Sequence, residues 1–321
     1  MKAIQFAATG GPDVLRLVDV APPAPQPGEI LVRHTAIGLN FIDTYHRTGL
    51  YPLPLPSGLG LEAAGVVEAA GAGVALHPGT RIGYGWGPIG AYATHRVIAA
   101  DRVVVLPDAV GDETAAAGLL KGCTTEFLVE RCARVQPGQW ALVQAAAGGV
   151  GLLLVQWLKH IGATVIAAAG TPEKIAIAMA HGADHGIVED ETLARQVREL
   201  TGGRGVDVVF DGIGKATFEA SLDSLRRRGL LVSYGNASGA VGPVDFSILA
   251  RKGSLFVTRP TLFDYYADRA EIELHAGRVL VHIGSGVLRV NVDQRYALAD
   301  AAQAHRDIEA RRTTGSTVLV P

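Results

Sequence analysis

Cysteine is almost missing from this 321-residue chain: Cys123 and Cys132 stand nine apart with no C-x-x-C pair. That scarcity excludes a disulfide framework and a four-cysteine structural zinc lobe, and both thiols are expected to be reduced and partly buried. Large rings are few as well, with 8 Phe against 40 Gly, a balance that favours turns and close backbone approaches. Neither sign of charge dominates: 29 Lys and Arg against 31 Asp and Glu leave a formal net charge of -2, without the electrostatic footprint of a nucleic-acid or membrane-surface binder. The opening MKAIQFAATGG alternates like an edge strand and lacks the apolar centre and cleavage site of a secretory signal, so the expected compartment is the cytoplasm.

A membrane span is not expected either. Residues 135–158 run 24 positions without a charged side chain, long enough to cross a bilayer. The run contains Pro137, four Gln and several glycines, and its periodicity changes midway, so it reads as a buried strand followed by a buried helix.

What the chain does have is apolar material, 48% of residues, and enough length for two domains. Up to about residue 122 short strands are broken by Gly and Pro, at 29–36, 64–70, 81–84 and 95–99, the pattern of a compact β-rich barrel. Segment 20–28 holds four prolines and reads as a surface connection. After Cys123 the rhythm becomes strand and helix in alternation: strands at 140–144, 164–168, 206–211, 230–234 and 253–258, with helices to 161 and at 173–181. Such alternation predicts an α/β fold, a doubly wound parallel sheet beside the β-rich domain, with a last strand at 317–320.

The stretch 138–159, GQWALVQAAAGGVGLLLVQWLK, carries the most information: an apolar strand, a glycine turn, then apolar residues at helical offsets. The turn reads A-x-G-x-x-G over Ala146, Gly148 and Gly151, with alanine in the first glycine place. Gly148 lets the backbone approach a pyrophosphate, and Gly151 lets the helix pack close to its strand; the helix amides and dipole would hold the phosphate. Alone this motif is weak, and a glycine turn without a ligand is the alternative; the flanking strand and helix favour a dinucleotide.

Across essentially its whole length the chain resembles the quinone oxidoreductase, or zeta-crystallin-like, branch of the medium-chain dehydrogenase/reductase superfamily. The likeness rests on Gly138, Gln139, Leu142, Ala146, Ala147, Gly148, Gly149, Gly151, Gln156 and Lys159 in the loop block, and on NFIDTYHRTGLY at 40–51, RGLLVSYGNASG at 228–239 and GSLFVTRP at 253–260. The resemblance implies a split GroES-like, partly open barrel at 1–122 and 264–321 flanking a Rossmann cofactor domain at 123–263, and a homodimer.

Zinc-dependent relatives of this fold bind Zn²⁺ through a Cys, a His in a G-H-E block and a further Cys or Asp. Here that block is Gly60, Leu61, Glu62, and Gly38 to Asn40 replace the Cys-bearing turn. Glu62 alone cannot hold the ion, because a catalytic site needs about three protein ligands. His181 and His185 stand four apart, but H-G-A-D-H lies where a helix gives way to a strand, and reads as a loop pair. No metal is therefore expected. Hydride arriving at an ordinary ketone leaves full charge on oxygen, which zinc would stabilise, whereas a quinone or enone spreads the charge itself. The expected electrophile is conjugated.

The second strand of the cofactor domain ends Ala168, Ala169, Gly170 without an acid, and Lys174 follows on the next helix. An acid there would favour a ribose hydroxyl and a cation a 2′-phosphate. The resemblance assigns Gly170 and Lys174 to the phosphate, which favours NADPH; a solvated Lys174 is the alternative. Glu189 is a departure: it falls where relatives carry a phosphate-binding Tyr, and it would repel a phosphate unless it points away. The resemblance also nominates Asn40, Phe41, Thr44, Tyr45, Thr124, Ala147, Gly148, Gly149, Val150, Ile213, Gly235, Asn236, Thr258 and Arg259 for the cofactor, with Asn40 and Tyr45 catalytic and Tyr45 and Tyr51 lining the substrate pocket. Asn40 would donate to a developing oxyanion. Tyr45 either donates a proton or packs, and water is an alternative proton source.

Arg226 to Arg228 precede Gly229 and a strand, and are expected to complement a helix dipole rather than meet nucleic acid. Three functions remain in view: an NADPH:quinone reductase, an enone or alkenal double-bond reductase using the same cofactor, and a cofactor-binding protein with an RNA-binding or structural role.

Overall fold

The computed structural model describes every residue except Pro22, so the proline-rich connection expected over 20–28 lies partly outside the described residues. The chain divides into two compact units, one of Met1–Cys123 with Tyr266–Pro321, the other of Thr124–Tyr265.

The first unit opens with β1 (Lys2–Phe6), β2 (Arg16–Asp19) and the long β3 (Glu29–Leu39), followed by α1 (Phe41–Thr48), β4 (Ser57–Gly58), β5 (Glu62–Ala70), β6 (Arg81–Tyr84), β7 (His95–Ala99), β8 (Val104–Val105) and α2 (Asp112–Glu126). Along β3 the alternation is what builds the core, since Ile30, Val32, His34 and Ala36 are buried in turn and the strand is wholly buried beyond Ala36. β3 runs antiparallel to β5, while β7 pairs with its first residues, from Glu29 to Arg33. β1 sits between β2 and β4 in a separate three-stranded sheet.

The second unit is the α/β part, with β9 (Trp140–Val143), α3 (Gly149–Ile161), β10 (Thr164–Ala169), α4 (Pro172–Ala180), β11 (His185–Val188), α5 (Leu193–Leu200), β12 (Val206–Asp211), α6 (Phe218–Ser224), β13 (Leu225–Ser233) and β14 (Phe256–Thr258). Its six strands lie in the order β11-β10-β9-β12-β13-β14, every pairing parallel. In sequence order that is 3-2-1-4-5-6, the arrangement of dinucleotide-binding sheets, with a topological switch between β9 and β12. Helices cover a parallel sheet, so its strands read as continuous apolar runs: all six residues of β12 are buried, and Leu142, Ile166, Val209 and Leu231 join one core with Leu193, Val197 and Leu222. The chain then returns to the first unit, where β16 (Ser316–Val320) pairs antiparallel with Ile37 to Leu39 of β3, and β15 (Val292–Ala297) runs parallel to β16. The β-rich unit thus carries a seven-stranded sheet in the order β15-β16-β3-β5-β6-β8, with β7 also on β3.

Two expectations need correction. The basic run is not the end of a helix: α6 stops at Ser224, and Arg226, Arg227 and Arg228 already belong to β13. Arg226 Nε instead lies 2.5 Å from Asp207 Oδ1, pairing a strand edge rather than a dipole. The strand expected at 253–258 is shortened to its last three residues, because Gly253 and Ser254 take positive φ of 114° and 56° and form a turn. The uncharged run at 135–158 is split between β9 and α3, and no helix among the described residues is long and apolar enough to cross a membrane.

Candidate active site

In the second unit the nominated residues gather at the carboxyl ends of the parallel strands. Ala147, Gly148, Gly149 and Val150 follow β9, Gly170 and Lys174 follow β10, Ile213 follows β12, Gly235 and Asn236 follow β13, and Thr258 and Arg259 close β14. This is the edge where open α/β sheets bind ligands.

The turn after β9 is tight. Gly148 N donates to Ala145 O at 2.9 Å and caps α3, while Ala146 N ties the turn to β10 through Ala168 O, also 2.9 Å. A Cβ on Gly151 would lie 2.3 Å from Ala145 O and 2.8 Å from Ala146 Cα, both backbone atoms, so only glycine lets α3 start this close to its strand. Ala145 itself adopts φ 52°, a left-handed conformation that costs an alanine about 1 kcal/mol. The first amides of α3 lack carbonyls one turn back, which together with the dipole makes an anion site.

The loops after β12 and β13 are held by a carboxylate. Buried Asp211 Oδ1 accepts from Ile213 N at 2.8 Å, Gly214 N at 3.0 Å and Thr217 Oγ1 at 2.9 Å, and its Oδ2 accepts from Ser221 Oγ at 2.8 Å. Ser238 N and Oγ both donate to Ile213 O at 2.8 Å. A side chain on Gly235 would strike Gly212 O at 2.2 Å, so the two loops meet backbone to backbone. Arg259 Nη1 donates to Ser233 O at 2.8 Å.

Beyond β10, Gly170 is exposed, and a Cβ built on it meets nothing within 4 Å. Thr171 caps α4, its Oγ1 accepting from Lys174 N at 3.3 Å. Glu189 does not point away: its Oε1 lies 3.5 Å from Ala145 N. His181 Nδ1 meets Ile177 O at 2.8 Å and His185 stacks on Trp140, so the two imidazoles serve different neighbours.

In the first unit, α1 collects Asn40, Phe41, Thr44 and Tyr45, with Tyr51 just beyond. Tyr45 is buried and packs edge-on against Tyr51, ring centroids 5.3 Å apart, and against Phe41 at 5.7 Å. Thr44 Oγ1 donates to Phe41 O at 2.7 Å, within the helix. Thr124 is half-buried in α2.

Asn40 stands in a buried charged network. Its Nδ2 donates to Glu62 Oε2 at 2.8 Å, an oxygen that also takes Lys121 Nζ at 3.2 Å, while Leu120 N donates to Oε1 at 2.7 Å. Glu62 is fully buried, and Lys121 is 5% exposed. The space beside the carboxylate exists because residue 38 is glycine: a Cβ there would lie 2.3 Å from Glu62 Oε2 and 2.1 Å from Ala116 O. Lys121 as Asn40's indirect partner was missed from sequence; the available signal was a single lysine inside the small and apolar middle of α2. A second chain runs from Asn40 N to Asp43 Oδ2 at 2.9 Å, onto which Tyr92 OH also donates at 3.0 Å. Tyr92 in turn meets His305 Nε2 at 3.2 Å, and Arg47 Nη1 meets His305 Nδ1 at 3.0 Å. Burial raises Asp43 to about 7, and its Oδ1 has no hydrogen-bond partner among the described residues. Burial, then the Arg47 charge, lowers His305 to about 3. Arginine only donates, so His305 Nδ1 must accept, which leaves Nε2–H for the Tyr92 oxygen and the Tyr92 O–H for Asp43.

The donor set at Glu62 does not fit zinc. The carboxylate that would face the ion is already bonded to an ammonium, an amide N–H and a backbone N–H, and no group of three His, Cys, Asp or Glu among the described residues is arranged to hold a metal. The glycine turn, the open Gly170 and Lys174 do fit a dinucleotide.

Residues 149–264 match the family model described as zinc-binding dehydrogenase, and residues 26–108 that of the alcohol dehydrogenase GroES-like domain. The chain is similar to the quinone oxidoreductase of Pseudomonas aeruginosa, 50% identical over 100% of this chain and 99% of that one. It is 43% identical to the 2-haloacrylate reductase of a Burkholderia species, covering 97% of this chain and 96% of the relative. Among solved structures, Escherichia coli quinone oxidoreductase complexed with NADPH superposes with a TM-score of 0.97 at 46% identity, over 100% of both chains.

Proposed function

The chain belongs to the quinone oxidoreductase branch of the medium-chain dehydrogenase/reductase superfamily, and from that premise we propose that it reduces quinones at the expense of NADPH, without zinc. The observation that carries this reading is the Lys121 ammonium bonded to Glu62: in the Gly60-Leu61-Glu62 block Leu61 offers no ligand atom, and the one carboxylate is engaged by a buried cation. An acceptor reduced there must spread the incoming charge through its own conjugation.

When bound, NADPH supplies the hydride. The chain's residues do the rest. Gly148, Gly149, Val150 and Ala147 receive the pyrophosphate on backbone amides at the start of α3, while Gly170 and Lys174 take the adenosine end. Ile213, fixed by the Asp211 and Ser238 bonds, and Arg259, tied to Ser233 O, border the cofactor further along the strand ends with Gly235, Asn236 and Thr258. Asn40 spends one amide N–H on Glu62 and offers the second to the oxygen that gains charge. Tyr45, buried among Phe41 and Tyr51, lines the pocket with Tyr51, and the proton comes either from its hydroxyl or from water.

A second reading, reduction of an activated carbon–carbon double bond, is favoured by the 43% identity to 2-haloacrylate reductase. NADPH absorbance followed with ortho- and para-quinones, enones and 2-haloacrylates side by side separates the two. Quinone turnover is the expected result, with Asn40→Ala slowing it on the order of 10²-fold; no turnover with any quinone removes the leading reading. The protein is also read as a cytoplasmic homodimer. Two free thiols suit a reducing compartment. The edge strand β14 exposes Phe256 and Val257, an apolar edge that a second copy would cover, and Phe246, ten residues earlier, is also exposed. Arg226, engaged with Asp207, gives the RNA-binding alternative little support.

A further inference from the structure

The cofactor reading leaves one side chain unexplained. Glu189 is the first residue after β11, and β11 lies outermost in the sheet, beside β10, which separates it from β9. In register, Val188 pairs with Ala169, so Glu189 stands level with Gly170 at the carboxyl end of β10. Its backbone N donates to Ala169 O at 2.9 Å, and its Oε1 lies 3.5 Å from Ala145 N, in the turn after β9. The side chain therefore reaches across the end of β10 toward the glycine turn. Beside it, Gly170 leaves open space, since a Cβ there meets nothing within 4 Å.

In dinucleotide sheets the adenosine ribose rests over the end of the second strand. An acid at that place accepts the 2′-hydroxyl of an unphosphorylated ribose, and a cation receives the 2′-phosphate. This chain holds both signs. The cation and helix dipole come from Lys174 and the start of α4, whose cap is Thr171. The acid comes from the neighbouring strand instead of from residue 170. Glu173, in the same first turn of α4, is exposed and hydrogen-bonded with Thr171, so Glu189 is the carboxylate that lies over the strand end.

Resting on the NADPH reading above, we propose that Glu189 is a specificity-determining residue: it accepts a ribose hydroxyl of NAD(H) and repels the 2′-phosphate of NADP(H), so the chain binds both nucleotides with a narrow preference. Lys174 and Glu189 pull the choice in opposite directions, and the balance between them sets the ratio of the two affinities.

Calorimetric titration of the full-length protein with NADP⁺ and with NAD⁺ tests this without turnover. Glu189→Gln keeps the shape of the side chain and an oxygen for Ala145 N while removing the charge. The variant is expected to tighten NADP⁺ about tenfold and to leave NAD⁺ unchanged or weakened, whereas Lys174→Ala weakens NADP⁺ by about as much and spares NAD⁺. Unligated melting temperatures identify any variant that fails to fold, and Glu189→Ala repeats the test with the same expected direction. If Glu189→Gln and Glu189→Ala move both nucleotides together, with the ratio of affinities held within about twofold, Glu189 only braces the turn and the proposal falls. If the unsubstituted protein binds neither nucleotide, the cofactor reading itself falls, and this inference with it.

Discussion

The turn after β9 and the start of α1 are both expected to meet the substrates, yet they are built from opposite materials. Around Ala145 to Gly151 the working groups are backbone amides, and the side chains are small so that carbonyls and α-carbons can come within contact distance. Around Asn40 the working groups are side chains drawn from α1, α2 and β5, two of them charged and almost fully buried. A backbone site is stabilised by what is left out, and its failure mode is collision. A buried side-chain site is stabilised by mutual satisfaction, and its failure mode is an orphaned charge.

The sharpest way to break the comparison is to orphan the charge. Lys121→Met leaves Glu62 buried with two neutral donors, and removing one partner of such a pair costs about 3–5 kcal/mol, read from the denaturant midpoint. Adding Glu62→Gln removes the stranded carboxylate, so the double variant is expected to recover most of that loss. If Lys121→Met costs no more than a surface substitution, the pair is not what holds Asn40 in place.

These two regions also differ in how far sequence alone exposes them. The turn is local: Gly148 and Gly151 sit between an apolar strand and an apolar helix, and spacing together with those flanks carries the expectation of a phosphate there. The order of the parallel strands follows from the same alternation. Glu62 and Lys121 are 59 residues apart and Tyr92 and His305 are 213 apart, and nothing in either local pattern marks them as partners. Direction is equally hidden, since the resemblance implies a tyrosine in relatives where this chain has Glu189, but not that the carboxylate turns toward Ala145. Arg226 to Arg228 read as a cap in the sequence because a strand that follows a helix with no intervening loop leaves no break there.

For the backbone site the corresponding break is a single methyl. Gly151→Ala places a Cβ against Ala145 O and Ala146 Cα, atoms that cannot swing aside, and overpacking of this kind costs about 1–3 kcal/mol. NADP⁺ affinity is expected to drop as α3 is pushed from the turn. Gly170→Ala is the control: its Cβ enters open space, and stability should move by less than about 0.5 kcal/mol. Equal losses from both would mean that collision with Ala145 and Ala146 is not what sets the requirement for glycine at 151, since helix propensity by itself favours alanine there.

The smallest effect per step, and the one that reads the side-chain site most directly, is a pair of opposite pH slopes. His305 takes a proton near 6.5 when the chain is unfolded but only at about 3 when folded, so its contribution is complete above pH 6.5 and disappears as the pH falls toward 3. Asp43 behaves in the other sense: raised from 3.8 to about 7 by burial, it contributes fully at low pH and loses that contribution as the pH rises toward 7. One proton of difference corresponds to about 1.4 kcal/mol per pH unit. Between about pH 4.5 and 6, His305→Gln should therefore flatten the rise of stability with pH by up to that slope, and Asp43→Asn should steepen it by a similar amount. Because the two groups are joined through Tyr92, the double variant need not return to the parental slope. A deviation from additivity measures how far one proton in this network decides the placement of the next.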